Sequence, residues 1–216
     1  MGTRLAYWLS WAPVAAAAAF VLTALAGGLA VDGYSHARHP LALLGARGVP
    51  GSDTFNLLGW GVPGLLLAMQ AVMLRECLPG KGNFVARLGA WSLALSALAF
   101  AAQGLWPLDA ADLEGVGSRR HALAWMLWWV AYPAAAALLA PALLRQAGQR
   151  RAGAWLLLSA LAVLACVLSA RAGWWPAPGG RLAIAAWFAG HLACGALMRR
   201  SPEIAPAQAF WEPPPR

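Results

Sequence analysis

Six apolar stretches of roughly 20 residues each, parted by short polar connectors, limit what this chain can fold into. They run Leu5 to Leu29, Asn56 to Leu74, Leu88 to Leu105, His121 to Leu144, Ala152 to Ala170 and Leu182 to Met198. An α-helix rises about 1.5 Å per residue, so some 20 residues cross the roughly 30 Å of bilayer hydrocarbon. Lipid tolerates no unpaired backbone polar group, so such segments must be helical. The expected fold is all-α: a polytopic membrane protein whose six-transmembrane-helix bundle occupies residues 1–200. A cytoplasmic tail, 201–216, follows, in which Pro202, Pro206, Pro213, Pro214 and Pro215 bar a helix. Only 11% of residues are charged and 61% are hydrophobic, against about 25% charged in soluble domains.

The first apolar run exceeds the roughly 7 to 15 residues of a signal-peptide core, and it reads as a retained helix. The net charge of +8 sits on single or paired basic residues at the ends of apolar segments, which serves membrane orientation and excludes a nucleic-acid partner. Ten Lys and Arg flank one side (Arg4, Arg75, Lys81, Arg87, Arg145, Arg150, Arg151, Arg199, Arg200, Arg216). Six flank the other (Arg38, Arg47, Arg119, Arg120, Arg171, Arg181). The basic excess places both termini in the cytoplasm and the protein in a cell inner membrane, with lipids as its surroundings. Trp8, Trp11, Trp91 and Trp155 near one interface, and Trp106, Trp174 and Trp175 near the other, read as anchors. Trp125, Trp128 and Trp129 lie deeper, near Tyr132 and Pro133. Cys77, Cys166 and Cys194 show no CxxC spacing, so neither a disulfide framework nor a zinc knuckle follows.

The chemistry-bearing residues gather on the less basic side, above all in the connector from Asp32 to Asn56. His36 and His39 are three apart, so a helical turn over Ser35 to Pro40 would put both rings on one face. At similar depth lie Asn56 at the start of helix two, Gln103 at the end of helix three, Asp109 after Pro107, His121 at the start of helix four and Arg181 just before helix six. Imidazole, carboxylate and carboxamide are ligand types for a divalent metal and also acid–base groups, because imidazole titrates near neutral pH. His36, Asp109 and His121 are therefore the candidates for metal ligation and for catalysis. No HExxH or GxSxG motif accompanies them. His191 falls near the middle of helix six, where a polar side chain must face the bundle interior; Ser92, Ser96 and Ser159 are the expected partners. Asp109 has a second reading, an ion pair with Arg119 or Arg120.

Tyr34-Ser35-His36, Leu44-Gly45-Ala46-Arg47-Gly48 with Pro50, Phe55-Asn56, Pro107-Leu108-Asp109 with His121, and Gly180-Arg181 together resemble a bacterial membrane family catalogued as domain of unknown function 998. The resemblance covers about residues 10 to 198 and implies a six-helix all-α membrane domain, without bringing an activity. The chain departs from the family pattern at Ala42-Leu43, where the pattern has Ser-Glu, and it lacks cysteines around Pro-x-Asp.

Two functions compete. In the first, His36, His39, Asn56, Gln103, Asp109, His121, Arg181 and His191 build an extracytoplasmic pocket that binds a lipid headgroup, a metal or a small ligand, or serves an accessory subunit that docks a membrane partner. In the second, the same groups make an intramembrane metal-assisted hydrolase acting on a lipid-linked substrate. The first is preferred; a coupled transporter is disfavoured, because broken-helix pairs and membrane-depth carboxylates are missing from the pattern.

Overall fold

The structure is a computed structural model that describes residues 2–78 and 83–201. Lys81 and the proline-rich tail from residue 202 onward lie outside the described residues. Among the described residues eight α-helices supply six spans. Helices α1 (Gly2–Leu9) and α2 (Ala12–Ala30) form the first, a run of apolar helix from Arg4 to Ala30. The second, Ser52–Glu76, joins α3 (Ser52–Phe55), a π-helical stretch (Asn56–Gly61) and α4 (Val62–Glu76). The others are α5 (Phe84–Leu105), α6 (Val116–Leu144), α7 (Arg150–Arg171) and α8 (Pro176–Arg200). No strand occurs among the described residues.

Each span packs on its sequence neighbours, and α8 closes back onto α2 and α4. Arg199 Nη1 donates to Ser10 O at 2.6 Å, and its guanidinium lies over the Trp11 ring, so the first and last helices meet at one end. Leu22, Leu65, Leu98, Leu127, Leu161 and Leu182, one from each span, are exposed. Water would penalise such a girdle of large apolar side chains, whereas lipid solvates it. The chain is thus a multi-pass membrane protein folded as an all-α six-helix bundle.

Two local features shape the end that carries the 31–51 connector. The first is the π-helical stretch, where Val62 N–H bonds to Leu57 O, five residues back. Pro63 has no N–H to offer Gly59 O, so the α-helical register lapses there and the backbone widens. The second is close helix approach: a Cβ at Gly64 would lie 2.6 Å from Ala97 O and from Ala101, so only glycine lets α4 lie this close to α5.

The core is aromatic. Phe100 stacks on Trp187 with centroids 4.5 Å apart, Trp60 meets Phe100 edge-on at 4.9 Å, and Trp128 meets Trp187 at 5.8 Å. Trp60, Trp128 and Trp187 are at most 1% exposed. Edge and offset contacts of this kind add about 0.5–1.5 kcal/mol per pair beyond area burial. The anchor tryptophans stand out into the surroundings instead, with Trp8, Trp91, Trp155, Trp174 and Trp175 all exposed.

Helices α3, α6 and α8 start earlier than the apolar pattern predicts, at Ser52, Val116 and Pro176. Asn56, His121 and Arg181 therefore sit inside helices rather than at their N-termini. Apolar counting stops at the first polar residue, but the backbone goes on helically through the interfacial layer, behind Gly51 (φ +77°) and Gly115 at the caps and with Pro176 in the first turn.

Candidate functional site

Between the 31–51 connector and helices α5, α6 and α8 lies a cavity of about 260 Å³. The connector contributes Pro40, Leu41 and Ala42; the π-helical stretch contributes Trp60, also part of the aromatic core. Gln103 comes from α5, His121 and Trp125 from α6, and Pro176, Gly180, Arg181 and Ile184 from α8. Three of the residues expected at the site, Gln103, His121 and Arg181, thus line one cavity.

Arg181 fastens the connector to α8. Its Nη2 donates to Tyr34 Oη at 2.7 Å and to His39 O at 2.9 Å, and lies 3.4 Å from His36 Nδ1; its Nη1 donates to Ala177 O at 3.0 Å. A guanidinium only donates, so His36 Nδ1 is an acceptor and the ring proton sits on Nε2. That edge packs on α2, where a Cβ at Gly28 would collide with His36 Nε2. The helical turn expected over Ser35 to Pro40 forms: His39 N–H reaches Ser35 O at 2.8 Å, and Ser35 N–H returns a bond to His39 Nδ1 at 3.0 Å. Both imidazoles flank the Tyr34 ring, at 5.0 and 5.6 Å. Burial lowers the His36 pKa, and the nearby Arg181 charge lowers it further. Burial raises that of Tyr34, against the opposing pull of Arg181.

His121 Nδ1 lies 3.0 Å from Trp106 O and 3.3 Å from Gln103 O. Two carbonyls can only accept, so Nδ1 bears the proton and Nε2 is left a lone pair. The side chain of Gln103 is fully buried, and neither Oε1 nor Nε2 has a hydrogen-bond partner; the same holds for Trp60 Nε1 and Arg181 Nε. Each buried polar group left unpaired costs about 1–3 kcal/mol.

The remaining expected residues are spent elsewhere. Asn56 Nδ2 donates to Gly45 O at 2.9 Å and holds the 3₁₀ turn Leu41–Gly45 against the π-helical stretch. Asp109 closes a turn: its Oδ1 accepts Ala111 N–H, and its own N–H goes to Ser118 Oγ, both at 3.0 Å. It pairs with neither Arg119 nor Arg120; the ion pair among the described residues is Arg75–Glu76. The metal and catalytic trio His36, Asp109 and His121 is not assembled, and among the described residues no three His, Cys, Asp or Glu side chains converge as a metal site. The turn chemistry that consumes the Asp109 carboxylate is the reason.

His191 lies outside the cavity lining, fully buried in the bundle. Its partner is Gln70 of α4, not a serine: His191 Nδ1 lies 2.8 Å from Gln70 Oε1, and Gln70 Nε2 donates to His191 O at 2.9 Å. Ser96 Oγ goes to Trp128 O, and Ser159 Oγ pairs with Tyr132 Oη at 2.6 Å. Trp60 and Tyr34 help to build the site, and Gln70 partners His191, without being expected to. A glutamine inside a span and a tyrosine in a polar connector are signals for two of them; Trp60 carries none. Compared with protein-family models, characterised proteins and solved structures, the chain shows no match.

Proposed function

We propose that this chain is a bacterial inner-membrane protein, both termini cytoplasmic, that binds a small polar ligand or lipid headgroup in the cavity walled by Gln103, His121 and Arg181. Placement in the family catalogued as domain of unknown function 998 is part of the proposal and rests on the motif residues, of which Tyr34, His36, Gly45, Asn56 and Arg181 are joined by contacts at this end of the bundle. One observation carries the binding reading. The Gln103 carboxamide is wholly buried at the cavity wall with neither end bonded, and a buried polar group without a partner is retained at a cost that a ligand would offset.

Gly180 supplies the test. Outside its own helical turn a Cβ there would meet Trp125 Cη2 at 3.8 Å alone within 4 Å, so Gly180→Leu fills the cavity, leaves every polar group in place, and favours the helix by about 1 kcal/mol. Ligand at 100 times its Kd stabilises a protein by about 2.7 kcal/mol. Membrane polar lipid added to the purified protein in detergent should raise the melting temperature of the wild type and leave that of Gly180→Leu unmoved. Equal shifts in both would remove the cavity as the site.

A further inference from the structure

The chemistry of the cavity wall specifies more than a headgroup. Arg181 is a permanent cation whose partners, Tyr34 Oη, His39 O, Ala177 O and the His36 Nδ1 lone pair, carry no negative charge, and among the described residues no carboxylate lines the cavity. An ammonium or choline group would find a like charge and no acid to receive it, whereas an anion would be neutralised. The N-terminal turn of α8, at Pro176 and Ala177, adds partial positive charge to the same wall.

The hydrogen-bonding inventory narrows the anion. Three N–H groups await acceptors, at Arg181 Nε, Trp60 Nε1 and Gln103 Nε2. Two acceptors await donors, Gln103 Oε1 and the His121 Nε2 lone pair. A carboxylate offers no donor at all. A phosphodiester bearing a polyol offers both, its phosphate oxygens to the N–H groups and its hydroxyls to the two acceptors. The Gln103 carboxamide carries both kinds of group and is bonded at neither. A volume of about 260 Å³ is below the roughly 300–1,000 Å³ of drug-sized sites, enough for a headgroup and too little for a whole lipid. Leu41, Pro176 and Ile184 give the rest of the wall an apolar character suited to the glyceride beneath a phosphate.

We infer that the cavity is selective for a hydroxylated anionic phosphodiester, the glycerol-phosphate headgroup of a phosphatidylglycerol-type lipid. The inference rests on the cavity-binding reading and deepens it. Short-chain phosphatidylglycerol, phosphatidic acid, phosphatidylethanolamine and free glycerol 1-phosphate, each titrated into the full-length protein in detergent with melting temperature as readout, provide the test, with Gln103→Leu and Gly180→Leu alongside. Gln103→Leu deletes two unpaired buried atoms at nearly constant volume, so its fold should hold.

Phosphatidylglycerol should bind the wild type at least about tenfold more tightly than phosphatidic acid or phosphatidylethanolamine, the value of one well-placed charge-assisted hydrogen bond. Gln103→Leu should erase most of that preference and Gly180→Leu all binding. Equal affinity for the three lipids, blocked by Gly180→Leu, overturns the inference while the cavity-binding reading stands. Lipid binding unaffected by Gly180→Leu removes both. Free glycerol 1-phosphate binding as tightly as the lipid overturns the membrane source and keeps the headgroup chemistry.

Discussion

The Gln70–His191 pair gives the sharpest energetic expectation. Both side chains are fully buried, one on α4 and one on α8. Gln70 Nε2 is committed as donor to His191 O at 2.9 Å, which turns Oε1 to the imidazole and fixes the proton on Nδ1 at 2.8 Å. Gln70→Leu strips that N–H of its acceptor and should destabilise by about 1–3 kcal/mol. His191→Leu leaves Gln70 Oε1 unpaired but also removes the unpartnered His191 Nε2, so it should cost less. The double variant replaces both partners with apolar groups of similar size and should fall within about 1 kcal/mol of the wild type. The implied coupling of about 1–2 kcal/mol is at the upper end for membrane hydrogen bonds, which average about 0.6 and reach about 1.7. The unfolding equilibrium in mixed detergent micelles, followed by tryptophan fluorescence, measures it, since the Trp187 ring is 4.9 Å from that of His191. A cycle that closes to within about 0.3 kcal/mol, or a double variant worse than either single one, would refute the reasoning.

Two further outcomes are expected. A cysteine at Ser52 should react with a membrane-impermeant reagent in intact cells and one at Gly148 should not; the reverse pattern would invert the orientation read from the basic residues. His36, whose pKa is depressed from its usual 6.5 by burial and then by Arg181, should withhold stability as pH falls: full above the unfolded value of 6.5, lost as pH drops through the lowered folded value, because the unfolded chain takes up the proton first. Melting temperature from pH 7.5 to pH 5 should therefore fall further for wild type than for His36→Asn, and parallel curves would mean that His36 does not report on this contact.

The spans were legible because lipid imposes one rule on every segment: twenty apolar residues with no unpaired backbone group can only be a helix. That rule ends at the interface, where hydropathy no longer marks helix. Polar residues such as Ser52, Gly117, Ser118 and Arg119 look like loop by hydropathy, yet they extend α3 and α6, because backbone there is helical whether or not its side chains are wetted. Gln103, His121 and Arg181, grouped in the sequence by their distance from the span ends, line one cavity.

Depth, however, does not give azimuth. His191 and Gln70 lie 121 residues apart in the chain, and nothing in either helix's composition says that α8 closes onto α4 rather than presenting His191 to Ser159 of α7. The neighbours are chosen by shape: Gly64 admits α5 close against α4, and a Cβ at Gly190 would strike Tyr132 Oη, which draws the Tyr132–Ser159 pair tight against α8 and leaves His191 to α4. Asp109 shows the converse. Its type is right for a metal, but a carboxylate two residues before a free N–H satisfies that N–H first, since a local turn costs less chain entropy than a bond assembled across three connectors. The groups left over at this end of the bundle are the buried Gln103 carboxamide, bonded at neither end, and Arg181 Nε, and it is on these that the proposed ligand would draw.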